Sequence, residues 1–185
     1  LESLGATVVE VELPYFAEML AADMVTMGAE ALAYHLPDMR TRWEDYFMGT
    51  RRMVATGALI SGADFVQAQR VRRVALQALG DLFEAVDIVA TPTASKGATP
   101  YTDLEGGILD VSEVFQYVHT PYWDSVGNPA LVMPMGFTAE GLPLSLQLAA
   151  SHFDEVTLLS AGYAFQQVTD WHRRVPALVA DTVAA

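Results

Sequence analysis

Cysteine is absent from the 185 residues, which excludes a disulfide framework, a thiolate-ligated zinc and a thiol nucleophile together. Basic residues are scarce as well: ten Lys plus Arg stand against 23 Asp plus Glu, for a formal charge of -13 and a pI near 4.4. Such a field repels phosphate backbones and anionic lipid, so neither nucleic acid nor a membrane is expected as a partner. No apolar run is long enough to cross a bilayer, and the opening LESLGATVVEVELP lacks the basic and apolar regions of a signal peptide. A cytoplasmic location is the expectation. Also missing are a G-x-S-x-G elbow, an H-E-x-x-H helix and a phosphate-cradling G-x-x-x-x-G-K. His35, His119, His152 and His172 show no ligand spacing, so they read as surface or packing residues, with no metal or cofactor expected.

What is present suffices for a packed core. The chain is 52% hydrophobic, with three Trp, seven Tyr and eight Phe, enough for one ordinary domain or a large part of one. LESLGA reads as a last helical turn ending at Gly5, so the chain is expected to begin in the middle of a structure. Val9, Val11 and Leu13 alternate with Glu10 and Glu12 as a half-exposed strand does. From Phe16, apolar residues at steps of three and four predict a long helix ending near Pro37. Residues 38 to 60 suggest only short helices. Ser61 with Asp64 offers a capping box for a helix to about Ala85, its inner face Val71, Ala75, Leu79, Leu82 and Val86, with Arg70, Arg72 and Arg73 outside.

Asp87 to Thr93 reads as a short buried strand stopped by Pro92, followed by a Gly-, Ser-, Thr- and Pro-rich loop over residues 93 to 110. Ala130 to Pro134 and Leu144 to Ala149 read as two further strands, paired antiparallel across a turn from Gly136 to Pro143. Asp154 caps a last helix with Leu158, Ala161, Phe165 and Val168 inward. This order predicts an α/β chain with helices on both faces of a mixed sheet. Two strands are apolar on both faces, so further strands are implied.

Three ordered stretches carry a family likeness: Asp87-Ile-Val-Ala-Thr-Pro-Thr, then His119-Thr-Pro-Tyr-Trp-Asp-Ser-Val-Gly-Asn-Pro-Ala, then Gly141-Leu-Pro-Leu-Ser-Leu-Gln-Leu. With Gln67-Ala-Gln-Arg upstream and Phe153-Asp-Glu at the last helix, the chain resembles the amidase-signature family over residues 1 to 175, leaving 176 to 185 as a tail. The resemblance implies a large α/β enzyme hydrolysing amides through a Ser, cis-Ser and Lys triad, of which this chain is the C-terminal part. The N-terminal half that would carry the triad is expected to be missing: there is no Ser-Ser pair, and the single lysine, Lys96, lies in the long loop.

A serine attacking a carbonyl needs a base within hydrogen-bond reach and donors for the oxyanion, and no local motif supplies that set. No catalytic residue is therefore assigned. In the resembled family the stretch matching Thr120 to Ala130 borders the substrate cavity, which implies Thr120, Trp123, Asp124 and Asn128 as one wall toward a small-molecule amide. Asp124 also reads as a side chain bonding its own turn, and Trp123 as core. The glutamyl-tRNA amidotransferase members of that family typically carry an acidic residue three positions before the threonine matching Thr120. Tyr117 stands there, so the likeness implies a stand-alone amidase acting on a hydrophobic or small amide. A non-catalytic ligand- or protein-binding domain derived from an amidase is the alternative, and self-association of the isolated piece is expected from its open strands.

Overall fold

The computed structural model describes residues 1–99 and 117–175. Glu2–Leu4 form a 3-10 turn that Gly5 closes in the left-handed region. Residues 6 to 13 then run without sheet pairing, Val8 and Val9 both exposed. The expected strand over this stretch is corrected: an alternating pattern forms a strand only against a partner, and none of the described strands supplies one. Helix α1 spans Phe16–Thr41. It runs through Pro37 instead of ending there, because proline forfeits one amide donor while the last turn still closes, Arg42 N–H donating to the Asp38 carbonyl at 2.7 Å. Short helical pieces follow, including α2 at Met48–Thr56 and a 3-10 turn at Gly57–Leu59.

Helix α3, Gly62–Phe83, opens with the expected capping box: Ser61 Oγ accepts from Asp64 N–H at 3.1 Å and Ser61 N–H donates to Asp64 Oδ2 at 3.0 Å. Ala75 and Leu79 are buried, with Val71, Leu82 and Val86 packed around them. Arg72 is not merely a solvated arginine, since its Nε donates to the carbonyl of Ser125 on a distant segment.

The sheet has strands β1 (Ile88–Pro92), β2 (Ala130–Phe137) and β3 (Pro143–Ala150) in the order β1-β3-β2. Both pairings are antiparallel, with Val89 opposite Ala149 and Leu131 opposite Leu148. Parallel pairs, which a mixed sheet requires, are not among the described ones. The β2–β3 hairpin matches expectation, but β2 continues to Phe137 past an irregularity at Pro134/Gly136, which shortens the turn to residues 138–142. β1 is less buried than expected. Val89 points inward while Ala90 is exposed, as an edge position dictates.

Helices cover both faces, as the α/β reading requires. Val89 and Ala149 pack beneath α1, α3 and α4 (Thr120–Val126) in one cluster with Met19, Leu79, Tyr122, Trp123 and Val126. On the other face Met133, Leu148 and Ala150 meet α5 (Glu155–Gln167) through Leu158, Ala161 and Phe165. Asp154 caps α5 by accepting from Thr157 N–H at 3.3 Å. Val168 does not face inward; it is the C-cap residue, 58% exposed, because the helix ends one residue before it.

Candidate functional site

The exit of β1 meets the entry of α4 at one corner of the sheet. Past Pro92 the chain bends, and an isolated bridge pairs Ala94 with Val118. Ser95 N–H donates to the Tyr117 carbonyl at 2.7 Å and His119 N–H to the Thr93 carbonyl at 2.9 Å. This clamp sets Ser95 Oγ 2.9 Å from His119 Nε2. Lys96 Nζ sits 3.6 Å from the centroid of the Tyr117 ring, so it is engaged by an aromatic face and is not simply solvated. Beneath the corner lies Gln147 of β3, 1% exposed, whose Nε2 donates to Thr91 Oγ1 at 3.2 Å and to the His119 carbonyl at 3.4 Å. A buried amide with both donors used ties the β1 exit to the α4 entry.

The segment from Thr120, read from the sequence as a cavity-bordering loop, begins with a helix. Pro121 supplies a preset φ in the first turn and Gly127 the left-handed C-cap, with Gly127 N–H donating to the Trp123 carbonyl at 2.8 Å. This helix separates the four residues implied as a cavity wall. Thr120 lies at the corner beside His119, half-buried. Trp123 is sunk in the core against Tyr122, its Nε1 without a partner among the described residues. Asn128 is buried behind α4, its Nδ2 donating to the Ala150 carbonyl at 2.7 Å, an anchor between the α4 exit and β3.

Asp124 instead faces a groove of about 400 Å³ between α1 and α4, lined also by Asp23, Thr26, Glu30, Arg72 and Ser125. Asp124 makes no hydrogen bond to its own turn among the described residues; its neighbour Ser125 reaches across to α1 instead, Ser125 Oγ donating to Asp23 Oδ1 at 2.6 Å. Burial pushes the Asp23 carboxyl up from its ordinary value; the Ser125 bond opposes this and the charge of Asp124 adds to it. Tyr122, fully buried, donates to the Pro14 carbonyl at 3.0 Å, and loss of water raises its hydroxyl to about 12.

Sequence reading missed the Ser95–His119 contact, which joins residues 24 apart with no local signal. It also missed Gln147, although a polar residue centred in Leu144-Ser-Leu-Gln-Leu was the available sign of a buried anchor. Among the described residues, no three acidic or histidine side chains converge as a metal site.

An antiparallel sheet clasped by helices on both faces, with a polar corner where one strand ends and a helix begins, defines a layered α/β domain. The family model described as Amidase matches residues 1–159, and the chain belongs to the amidase family. An amidase of Pseudomonas putida is 33% identical over 97% of this chain, and the A-type subunit of the glutamyl-tRNA(Gln) amidotransferase of Marinobacter nauticus 36% over 95%. The chain spans 39% and 40% of those two relatives. The fold is likewise similar to that of 6-aminohexanoate cyclic dimer hydrolase, with a TM-score of 0.77, 18% identity and coverage of 96% of this chain and 41% of that one. A solved vestigial complex bearing on the origins of an s-triazine catabolic enzyme gives a TM-score of 0.77 at 26% identity, covering 90% of this chain and 37% of that one. No described helix is long and apolar enough to cross a membrane.

Proposed function

We propose that this chain forms the C-terminal portion of a stand-alone amide-bond hydrolase, supplying core sheet and one wall of the substrate cavity without carrying the catalytic triad. The convergence of the β1 exit and the α4 entry over buried Gln147 supports this reading, because it presents Thr120 on a rigid scaffold. Thr120 and Asp124 are the wall residues in reach of a small amide, while Trp123 and Asn128 act from behind by fixing α4. Rigid support of this kind matters because misplacing a bound amide by an ångström costs orders of magnitude in rate. In a polypeptide of the relatives' full length, Thr120→Val is expected to raise KM or shift preference among aryl, aliphatic and amino-acid amides at unchanged thermal stability. Unchanged kinetics across such a panel would refute the wall assignment.

The same reading makes self-association of the isolated chain an expectation. Val132, Leu159 and Tyr163 line an apolar groove of about 470 Å³ at the β2 edge and are 49%, 62% and 67% exposed. An edge strand beside such a surface pairs or packs with whatever is at hand. Light scattering over a concentration series is expected to show mass above that of one chain, diminished by Leu159→Lys; a dilution-stable monomer would contradict it.

A further inference from the structure

We propose that Ser95 and His119 form a second, independent nucleophile–base pair that accepts acyl groups from activated aryl esters. The pairing has the nucleophile–base contact such chemistry starts from: a hydroxyl 2.9 Å from an imidazole nitrogen, with Ser95 open to solvent. The Ala94–Val118 bridge, the Ser95 N–H to Tyr117 carbonyl bond and the His119 N–H to Thr93 carbonyl bond fix the two segments side by side. The His119 ring leans on Phe16, centroids 6.1 Å apart, and its carbonyl is gripped by buried Gln147. Such a pair would act independently of the proposed amide hydrolysis.

In the step, Ser95 Oγ attacks the ester carbonyl carbon as its proton passes to His119 Nε2. The tetrahedral adduct collapses by breaking the bond to the aryloxide, which takes that proton and leaves as a phenol. Acyl-Ser95 then yields a carboxylic acid to water by the same transfers in reverse. No carboxylate among the described residues is hydrogen-bonded to His119, so none of them serves as the orienting partner of a full triad. Substrates are therefore restricted to good leaving groups, and amides fall outside its range.

The test is acetylation of the full 185-residue chain by p-nitrophenyl acetate, followed by peptide mass mapping. In native buffer Ser95 is expected to be acetylated on the order of a hundredfold faster than in denaturant. Ser95→Ala should remove that adduct, and His119→Gln, which keeps a hydrogen-bonding amide but no base, should slow it by a similar factor. Equal rates in buffer and denaturant, an adduct confined to Lys96, or undiminished labelling in His119→Gln would each overturn the proposal. The buffer–denaturant comparison decides even where a variant fails to fold.

Discussion

Under α1, α3 and α4 the β1–β3 side of the sheet is sealed by buried side chains, whereas the β2 edge beside α5 leaves Val132, Leu159 and Tyr163 in solvent. The sealed side is also stitched across long sequence separations, by Tyr122 to Pro14, Ser125 to Asp23 and Gln147 to Thr91. At the open side contacts are apolar, drawn from the hairpin and α5 with Ile88 of β1. The difference sets a side held by buried contacts between distant segments against a side with exposed apolar residues. The proposed wall residues Thr120 and Asp124 lie on α4, on the sealed side.

The sharpest way to break the comparison is to place the same methyl group on each side. A Cβ at Gly57 would stand 2.1 Å from the Gly28 carbonyl oxygen, in the crossing of α1 with the Gly57–Leu59 turn. Backbone cannot yield cheaply, so Gly57→Ala is expected to cost about 3 kcal/mol or more in denaturant unfolding. At Gly162 of α5 a Cβ would meet only side-chain atoms, Leu131 Cδ2 at 2.6 Å and Met133 Cε at 2.9 Å the nearest. Because those tips can swing toward the open groove, Gly162→Ala is expected to cost about 1 kcal/mol. Equal costs would erase the distinction between the sides.

Truncating leucines sharpens it further. Leu79 is 1% exposed, and Leu79→Ala should lose about 2 to 5 kcal/mol through transfer and cavity terms. Leu159→Ala, at a surface position, should stay within about 0.5 kcal/mol by the same assay.

The sealed side also predicts an alkaline limit. Tyr122 holds its proton to about 12 when folded, against 10.0 unfolded. Between those values the native state binds more protons than the unfolded state, so stability falls as pH rises. About 2 to 3 kcal/mol present below pH 10 is expected to vanish by pH 12, at about 1.4 kcal/mol per unit. Tyr122→Phe should flatten that part of the profile in pH-resolved urea unfolding; an unchanged slope would show that the hydroxyl is not shielded.

The smallest effect is expected at the groove. Asp124→Asn should leave the melting temperature within a few degrees, since the bond that ties α4 to Asp23 of α1 comes from Ser125 and not from Asp124. Removing its charge should also lower the titration of Asp23, which NMR of the carboxyl carbons would detect. A large loss of stability would mean that Asp124 is structural.

Local signals carry much of this architecture. The Ser61–Asp64 box, the Asp154 cap and the β2–β3 hairpin each lie within a few residues of their own partners, so sequence alone defines them. Helix α4 reads as a loop because seven residues are too few to display a period, although Pro121 and Gly127 mark its ends. The alternation from Val8 to Leu13 misleads for the opposite reason: a period is visible without the partner that would make it a strand. The candidate corner is half legible. Thr120 comes from the family likeness, but its setting depends on Ser95, His119 and Gln147 meeting from three separate segments, which no spacing rule encodes.

Amide turnover by the rigorously purified chain tests the central claim most directly, with aryl, aliphatic and amino-acid amides offered at high concentration. None is expected, since a wall that orients an amide supplies neither the triad serine nor the oxyanion donors that cleave it, and the proposed Ser95–His119 pair is confined to activated esters. Turnover that survives separation from host enzymes, saturates with substrate and is abolished by a substitution within these 185 residues would contradict it.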